Sequence, residues 1–279
     1  MLYLILAIAS SALVSLSIRA SEKYITNNYG MLMVNYIICS LLSFVYMNKE
    51  INYFTQSGSG FMMILGGIGG LLYLVTLLII QFSTSKNGVV LTSIFSKLGV
   101  LIPTLMAVLV FREVPKVTQV IGIIIALVAI VLIHFEKGAL SEGNHKEWLL
   151  ILLLFAGITD SLANVYEQRG SAQLEDGYLL VTFGVAAILA AIFAFSKGRK
   201  ISKSDVIFGL ILGIPNFFSS KFLLLALGSM KAVLVYPTFS VGTLVVISLV
   251  GVLAFKEKLD RKKAIALGMI VLALGLLNI

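Results

Sequence analysis

Ten apolar runs, each close to the length of a bilayer crossing, fill almost all of the 279-residue chain. They are Leu2–Ile18, Met31–Met47, Phe61–Phe82, Gly88–Phe111, Val117–Ile133, Trp148–Gln168, Tyr178–Phe195, Val206–Leu227, Ala232–Phe255 and Ala264–Ile279. A hydrocarbon core about 30 Å thick takes roughly 20 apolar residues of helix, with a range of about 17–25. Lipid offers the backbone no hydrogen bonds, so each run must satisfy its own, as a helix does. The sequence therefore predicts an all-α integral membrane protein of about ten transmembrane helices. No soluble domain fits between the runs. The opening MLYLILAIAS lacks a basic n-region and continues apolar to Ile18, so it reads as a first membrane helix and not as a signal peptide.

Charge supports the same class. Only 12% of residues are charged, against about 25% in a soluble domain, and the mean hydropathy is +1.05. The net charge of +8 would suggest nucleic acid in a soluble protein. Here the basic residues sit in short loops such as SKNG at 85–88 and KGRKISKSD at 197–205, the usual pattern beside anionic lipid. A cell-membrane location follows, and no nucleic-acid partner. Cys39 is the single cysteine, so no intrachain disulfide can form.

The chain divides at its longest connection, His134–Glu147, into two similar halves, 1–135 and 146–279. Phe111-Arg-Glu-Val ends the fourth run and Phe255-Lys-Glu-Lys ends the ninth. GGIGG at 66–70 opens the third run and GLILG at 209–213 opens the eighth. Both are GxxxG spacings, which let a neighbouring backbone pack close. Five helices per half, an odd number, would insert the second half from the opposite side. That is the inverted repeat used by many secondary transporters.

Two segments carry a resemblance. TSKNGVVLTSIFSKLGVLIPTLMAVLVFREVPKVTQVIGIIIALVAIVLI and ALGSMKAVLVYPTFSVGTLVVISLVGVLAFKEKLDRKKAIALGMIVLALGLL each resemble the end of an EamA repeat of the drug/metabolite transporter superfamily. The shared marks are a small-residue turn, a helix able to carry proline, an aromatic-basic-Glu ending and a glycine-containing last helix. Pro237 stands where the family often has proline, whereas the first half has Ser93 there and Pro103 further on. The resemblance implies ten helices in two inverted five-helix repeats and a central cavity lined mainly by helices 1, 3, 4, 6, 8 and 9. It also implies termini in the cytoplasm. Lys and Arg are concentrated in the loops that follow the odd-numbered runs, on the side opposite the termini; by the positive-inside rule this argues the reverse, and that charge count is the reading preferred.

An ionisable side chain deep in a membrane helix costs roughly 2.5–3.5 kcal/mol on insertion scales and normally faces a cavity or a partner. Lys97, Asp160 and Lys221 are such residues. Asp160, Asn164 and Glu167 share one helical face at i, i+4 and i+7. Substrate contact or proton carriage suits Asp160; a structural ion pair with Lys97 is the alternative. Lys221 lies nearer a helix end and could snorkel. Tyr73 and Asn216 occupy matching places after the two GxxxG pairs and could bond a solute or one another's helices. Tyr236, beside Pro237, is a further candidate. Glu113 and Glu257 read as structural or gating residues.

No P-loop, metal-ligand spacing or nucleophile–base pair is present in the sequence, so no enzyme activity, cofactor or metal is expected. The expected function is secondary active transport, by export or exchange and with protons as a possible coupling ion, of small polar metabolites such as amino acids. The alternatives are a lipid-linked or amphiphilic substrate, or a membrane assembly subunit that transports nothing. Expected partners are the small-molecule substrate, membrane lipid and at most a second copy of the chain.

Overall fold

The computed structural model describes residues 1–48, 52–134, 145–196, 200–253 and 261–278, the side chains of 88–90, 133–134, 252 and 262–263 aside. Among them the helices are α1 (Leu2–Ser21), α2 (Asn28–Tyr46), α3 (Ser59–Leu98), α4 (Leu101–Leu109), α5 (Val117–His134), α6 (Lys146–Arg169), α7 (Glu175–Phe195), α8 (Lys203–Ser229), α9 (Ala232–Leu253) and α10 (Arg261–Leu277). No strand occurs among the described residues.

Eight spans are long and apolar enough to cross a membrane, and two further apolar helices, Val117–Leu132 and Ala264–Leu277, are shorter. Leu2, Ile5, Leu13, Phe44, Val45, Leu109, Val117, Ile124 and Leu150 are among many large apolar side chains left exposed. Apolar surface on that scale is incompatible with water and ordinary against lipid.

α3 is 40 residues long. Drawn straight it would measure about 60 Å, twice a bilayer. The Thr92 hydroxyl, however, donates to Ser83 Oγ at 3.3 Å. Those residues are nine apart and would stand about 13 Å apart on a straight helix. The helix therefore bends between them, and the apolar stretches Ser59–Asn87 and Leu91–Leu109 are each long enough to cross a membrane.

The chain forms two compact units, and each draws on both halves of the sequence. Unit 1 comprises Met1–Leu74 and Val165–Gly228; unit 2 comprises Val75–Asn164 and Ser229–Ile279.

In unit 1, α2 packs along α7, and the two GxxxG pairs join this core by contacts that match one for one. A Cβ on Gly66 would meet Val181 and the Tyr178 carbonyl, and one on Gly70 would meet Val185 and the Thr182 carbonyl, all on α7. A Cβ on Gly209 would meet Val34 and the Met31 carbonyl, and one on Gly213 would meet Ile38 and the Asn35 carbonyl, all on α2. The same backbone approach is thus made twice, α3 on α7 and α8 on α2. Unit 1 is also tied at the start of α8. Ser202 and Asp205 form a reciprocal capping box: the Ser202 N–H donates to Asp205 Oδ2 at 2.8 Å and the Asp205 N–H donates to Ser202 Oγ at 3.1 Å. The same carboxylate accepts from the Thr26 N–H at 2.9 Å, the Thr26 hydroxyl at 2.9 Å and the Asn27 N–H at 3.2 Å. One fully buried carboxylate therefore holds the starts of α2 and α8 together.

In unit 2, α5 packs along α10 and α4 against α9. Its core of Ala126, Ala129, Ile130, Val241, Leu244, Ile270 and Ala273 is rich in alanine. Small residues let the two short helices approach closely, as at Gly122, where a Cβ would meet the Ala273 carbonyl at 3.1 Å.

Candidate functional site

The candidate site in unit 2 starts from a missing hydrogen bond. Pro103 has no N–H to return to Gly99. The Gly99 carbonyl accepts instead from the Ile102 N–H at 2.9 Å, and the helix breaks at Gly99–Val100 between α3 and α4. At the break the backbone meets α6. A Cβ on Gly157 would stand 2.5 Å from the Gly99 carbonyl oxygen, a distance no side chain tolerates. Because both positions are glycine, the two backbones touch. Lys97, just before the break, and Asp160, one turn beyond Gly157, are thereby brought into electrostatic reach of each other.

They do not form a contact pair. Among the described residues, ion pairs within 4.0 Å join Lys221 to Asp176 and His145 to Glu147; Lys97 and Asp160 are not so joined. Asp160 is exposed and Lys97 half-buried, so neither is closed in by packing. Asn164, one turn further along α6, is 1% exposed. Neither Oδ1 nor Nδ2 of its amide has a hydrogen-bond partner. A buried polar group left unbonded costs about 1–3 kcal/mol, so this is an expensive place for an asparagine. Tyr236, beside Pro237 on α9, donates its hydroxyl to the Asp160 carbonyl at 2.7 Å and so fixes α9 against this turn of α6. Thr76 and Thr159 share a hydrogen bond at 3.0 Å, which joins α3 to the same stretch. Sequence reasoning singled out neither threonine and neither glycine. A Gly two residues after a lysine, followed by Pro103, was the available signal.

The other three predicted site residues lie in unit 1. Asn216 donates through Nδ2 to Asn35 Oδ1 at 3.1 Å. The Tyr73 ring lies 6.2 Å from that of Tyr36 and 6.3 Å from that of Phe183. Asn35 and Tyr36 are consecutive in α2, so the two matched positions meet neighbouring residues of one helix. Lys221 pairs with Asp176 and stands 5.8 Å from the Tyr46 ring centroid. Its ammonium is thus held by a carboxylate on α7 and an aromatic face on α2. Asp176, Asn35 and Tyr46 were not anticipated from the sequence, since nothing local marks a partner on another helix.

Glu113 takes a structural position. Its two carboxylate oxygens accept from the Ala232 and Val233 N–H groups at 3.1 and 2.8 Å, capping the start of α9. Its sequence counterpart Glu257 lies outside the described residues, as do the connection at 135–144 and several of the loop lysines. Among the described residues no group of three or more His, Cys, Asp or Glu side chains could hold a metal ion.

No family model matches the chain. An uncharacterized protein of Haemophilus influenzae is 27% identical over 270 residues, covering 92% of this chain and 91% of its own. A protein of known crystal structure superposes with a TM-score of 0.80 at 15% identity, covering 99% of this chain and 94% of its own. The second likeness is one of fold.

Proposed function

We propose that the chain is a secondary active transporter, an exporter or exchanger, of small polar metabolites such as amino acids, with proton coupling open to Asp160. The observation that carries this reading is the pair Lys97 and Asp160. Two charges sit within apolar helices, in electrostatic reach, neither closed in by packing nor joined as a contact pair. A scaffold gains nothing from leaving such charges unpaired, since each costs roughly 2.5–3.5 kcal/mol in mid-membrane. A transporter needs charged groups that can be exchanged between a substrate and one another.

The reading includes ten membrane crossings in two inverted repeats, 1–135 and 146–279, of the EamA type in the drug/metabolite transporter superfamily. The doubled GxxxG contacts support it, because α3 on α7 and α8 on α2 are what a pseudo-twofold relation between the halves requires. So are the pairings of α2 with α7, α4 with α9 and α5 with α10, each helix with its counterpart.

One observation favours a second reading, an amphiphilic or lipid-linked substrate. An open groove of about 340 Å³ in unit 2, lined by Leu98, Leu127, Val128, Val131 and Leu132, is apolar throughout and has the character of an acyl-chain site. A thermal-shift screen of the purified protein against polar metabolites and lipid-linked sugars, followed by liposome uptake of the compounds that stabilise it, separates the two. Stabilisation by amino acids with uptake supports the first reading. Stabilisation by lipid-linked compounds alone replaces it with the second.

A further inference from the structure

One face of unit 2 combines an apolar groove with a basic patch at the end of two membrane spans. The groove, of about 340 Å³, is lined by Leu98 of α3 and by Leu127, Val128, Val131 and Leu132 of α5. Val128 and Val131 are 50% and 36% exposed, so the groove opens on the outer surface of the helices, where the surrounding medium is hydrocarbon.

The neighbours of the groove give its direction. Val100, Leu101 and Thr104 share a small void with Ile123, Ala126 and Ile130, and Leu98 shares the groove with Val128, Val131 and Leu132. Falling numbers on α3 and α4 thus accompany rising numbers on α5, so the segments run antiparallel. The groove therefore climbs towards the end of α5 and the part of α3 that precedes Leu98. Leu98 also packs on Leu91, Ile94 and Leu149, which sets the start of α6 on the same side. There a boundary cluster forms. Asn87 Nδ2 donates to the His145 carbonyl at 3.1 Å. The Phe82 ring lies 4.5 Å from that of Trp148, and Lys86 Nζ lies 5.9 Å from the Phe82 centroid. A tryptophan at the end of a span marks the headgroup level. Lys86 and Lys146 are exposed, and among the described residues neither is paired with a carboxylate. Glu147, the acid of this cluster, is held by His145 at 3.1 Å. Lys86 stands twelve residues before Leu98, at most about 18 Å along a helix, and half a hydrocarbon core is about 15 Å.

We propose that this face holds one anionic phospholipid of the bilayer, its phosphate at Lys86 and Lys146 and one acyl chain in the groove, as a resident of the fold and not as cargo. Charge complementarity selects the headgroup, because basic patches beside membrane helices take anionic lipids. The positive-inside count favours the cytoplasmic leaflet for these loops, and that leaflet is the one rich in anionic lipid. The site stands whichever polar solute the chain carries, and it gives the groove an occupant other than a lipid-linked substrate.

The test uses the full chain in detergent micelles doped with equimolar phosphatidylglycerol and phosphatidylcholine, read by native mass spectrometry. Wild type should retain one phosphatidylglycerol per chain, preferred over phosphatidylcholine by roughly tenfold. Lys86→Gln with Lys146→Gln should lose the preference. Lys200→Gln with Lys203→Gln, the same charge change at two exposed lysines of unit 1, should keep it. Val128→Trp fills the groove from its exposed side and should retain neither lipid one-to-one; Val131→Trp does the same where the first variant melts below wild type. A wild type without a one-to-one lipid or without the preference overturns the proposal. So does equal loss of preference in the control pair, or a lipid retained by a tryptophan variant that melts as wild type does. A dimer that the tryptophan variants dissociate assigns the face to a second copy and overturns it too. A polyprenyl phosphate that displaces phosphatidylglycerol and is then translocated in liposomes makes the groove a substrate site; that outcome overturns the resident lipid and supports the lipid-linked reading of the function.

Discussion

Gly157 and Gly99 touch backbone to backbone: a Cβ placed on Gly157 would lie 2.5 Å from the Gly99 carbonyl oxygen and 2.5 Å from Ile102 Cβ. This crossing decides where Lys97 and Asp160 stand, because each is within a turn of its glycine. Gly157→Ala should therefore do two things. It should destabilise unit 2 by about 1–3 kcal/mol through overpacking, read as a lower melting temperature. It should also impair transport beyond what the lost stability explains, since α6 must shift away from the break. Gly184→Ala, at a position where a Cβ meets nothing within 4 Å, is the control and should leave both unchanged.

Much of this could be read from the residues in order. The apolar runs locate the spans, because no other segment of the chain can lie in lipid. The GxxxG pairs point to close packing, and the structure supplies the partners, α7 for α3 and α2 for α8. The face Asp160–Asn164 follows from helical periodicity alone. What could not be read is whatever depends on a second helix. Asp205 is a helix-start carboxylate in sequence; only the fold brings Thr26 and Asn27 to it. Lys221 looks like a free cation until α7 delivers Asp176. The isolation of Asn164 is invisible, because a sequence shows which groups can bond and never which are left unbonded. The close packing of the runs at Val117–Ile133 and Ala264–Ile279 on each other, through alanine and glycine, is a tertiary property.

The doubled glycine contacts predict a graded pair of effects. Gly70→Ala and Gly213→Ala, where a Cβ would come within 2.5 and 2.6 Å of its nearest neighbour, should lower the melting temperature by similar amounts. Gly66→Ala, at 3.0 Å, should cost less, and Gly67→Ala, with nothing within 4 Å, should be neutral. A thermal-melt series on the four variants checks the order. Unequal effects at Gly70 and Gly213 would argue against equivalent packing of α3 and α8.

The two carboxylate ties differ in how much they hold. Glu113 caps α9 through two N–H groups, and Glu113→Ala should cost about 0.5–2 kcal/mol, as an N-cap does. Asp205 accepts from Ser202, Thr26 and Asn27 and is wholly buried. Asp205→Ala strands three backbone donors and one hydroxyl and should cost more, about 3 kcal/mol or above. Comparison of the two melting temperatures checks the order, and a smaller loss at Asp205 would contradict it.

Lys221 and Asp176 should behave as a structural pair. Each side chain is 15% exposed, so removal of one partner leaves a poorly hydrated charge and should cost about 2 kcal/mol. Lys221→Met should destabilise, and Lys221→Met with Asp176→Asn should recover most of the loss while transport persists. Loss of transport in a double variant that melts normally would move Lys221 to the substrate site instead.

Lys97 and Asp160 should behave differently, and the contrast separates a working charge from a structural one. Asp160→Asn leaves Lys97 without its counter-charge amid apolar helices, so expression or melting temperature should fall; Lys97→Met in the same chain removes the stranded ammonium and should restore it. Transport is the distinguishing measurement. If the pair serves only to neutralise itself, the restored double variant should transport normally. If the two charges hold the substrate or a proton, the double variant should fold and fail. The absence of a contact pair between them, beside the unbonded Asn164, leads us to expect the second result. Within it, counterflow measured at equal pH on both sides tells the roles apart. An Asp160→Asn carrier that still exchanges substrate but no longer responds to a pH gradient has lost its proton site; one that does neither has lost its substrate site.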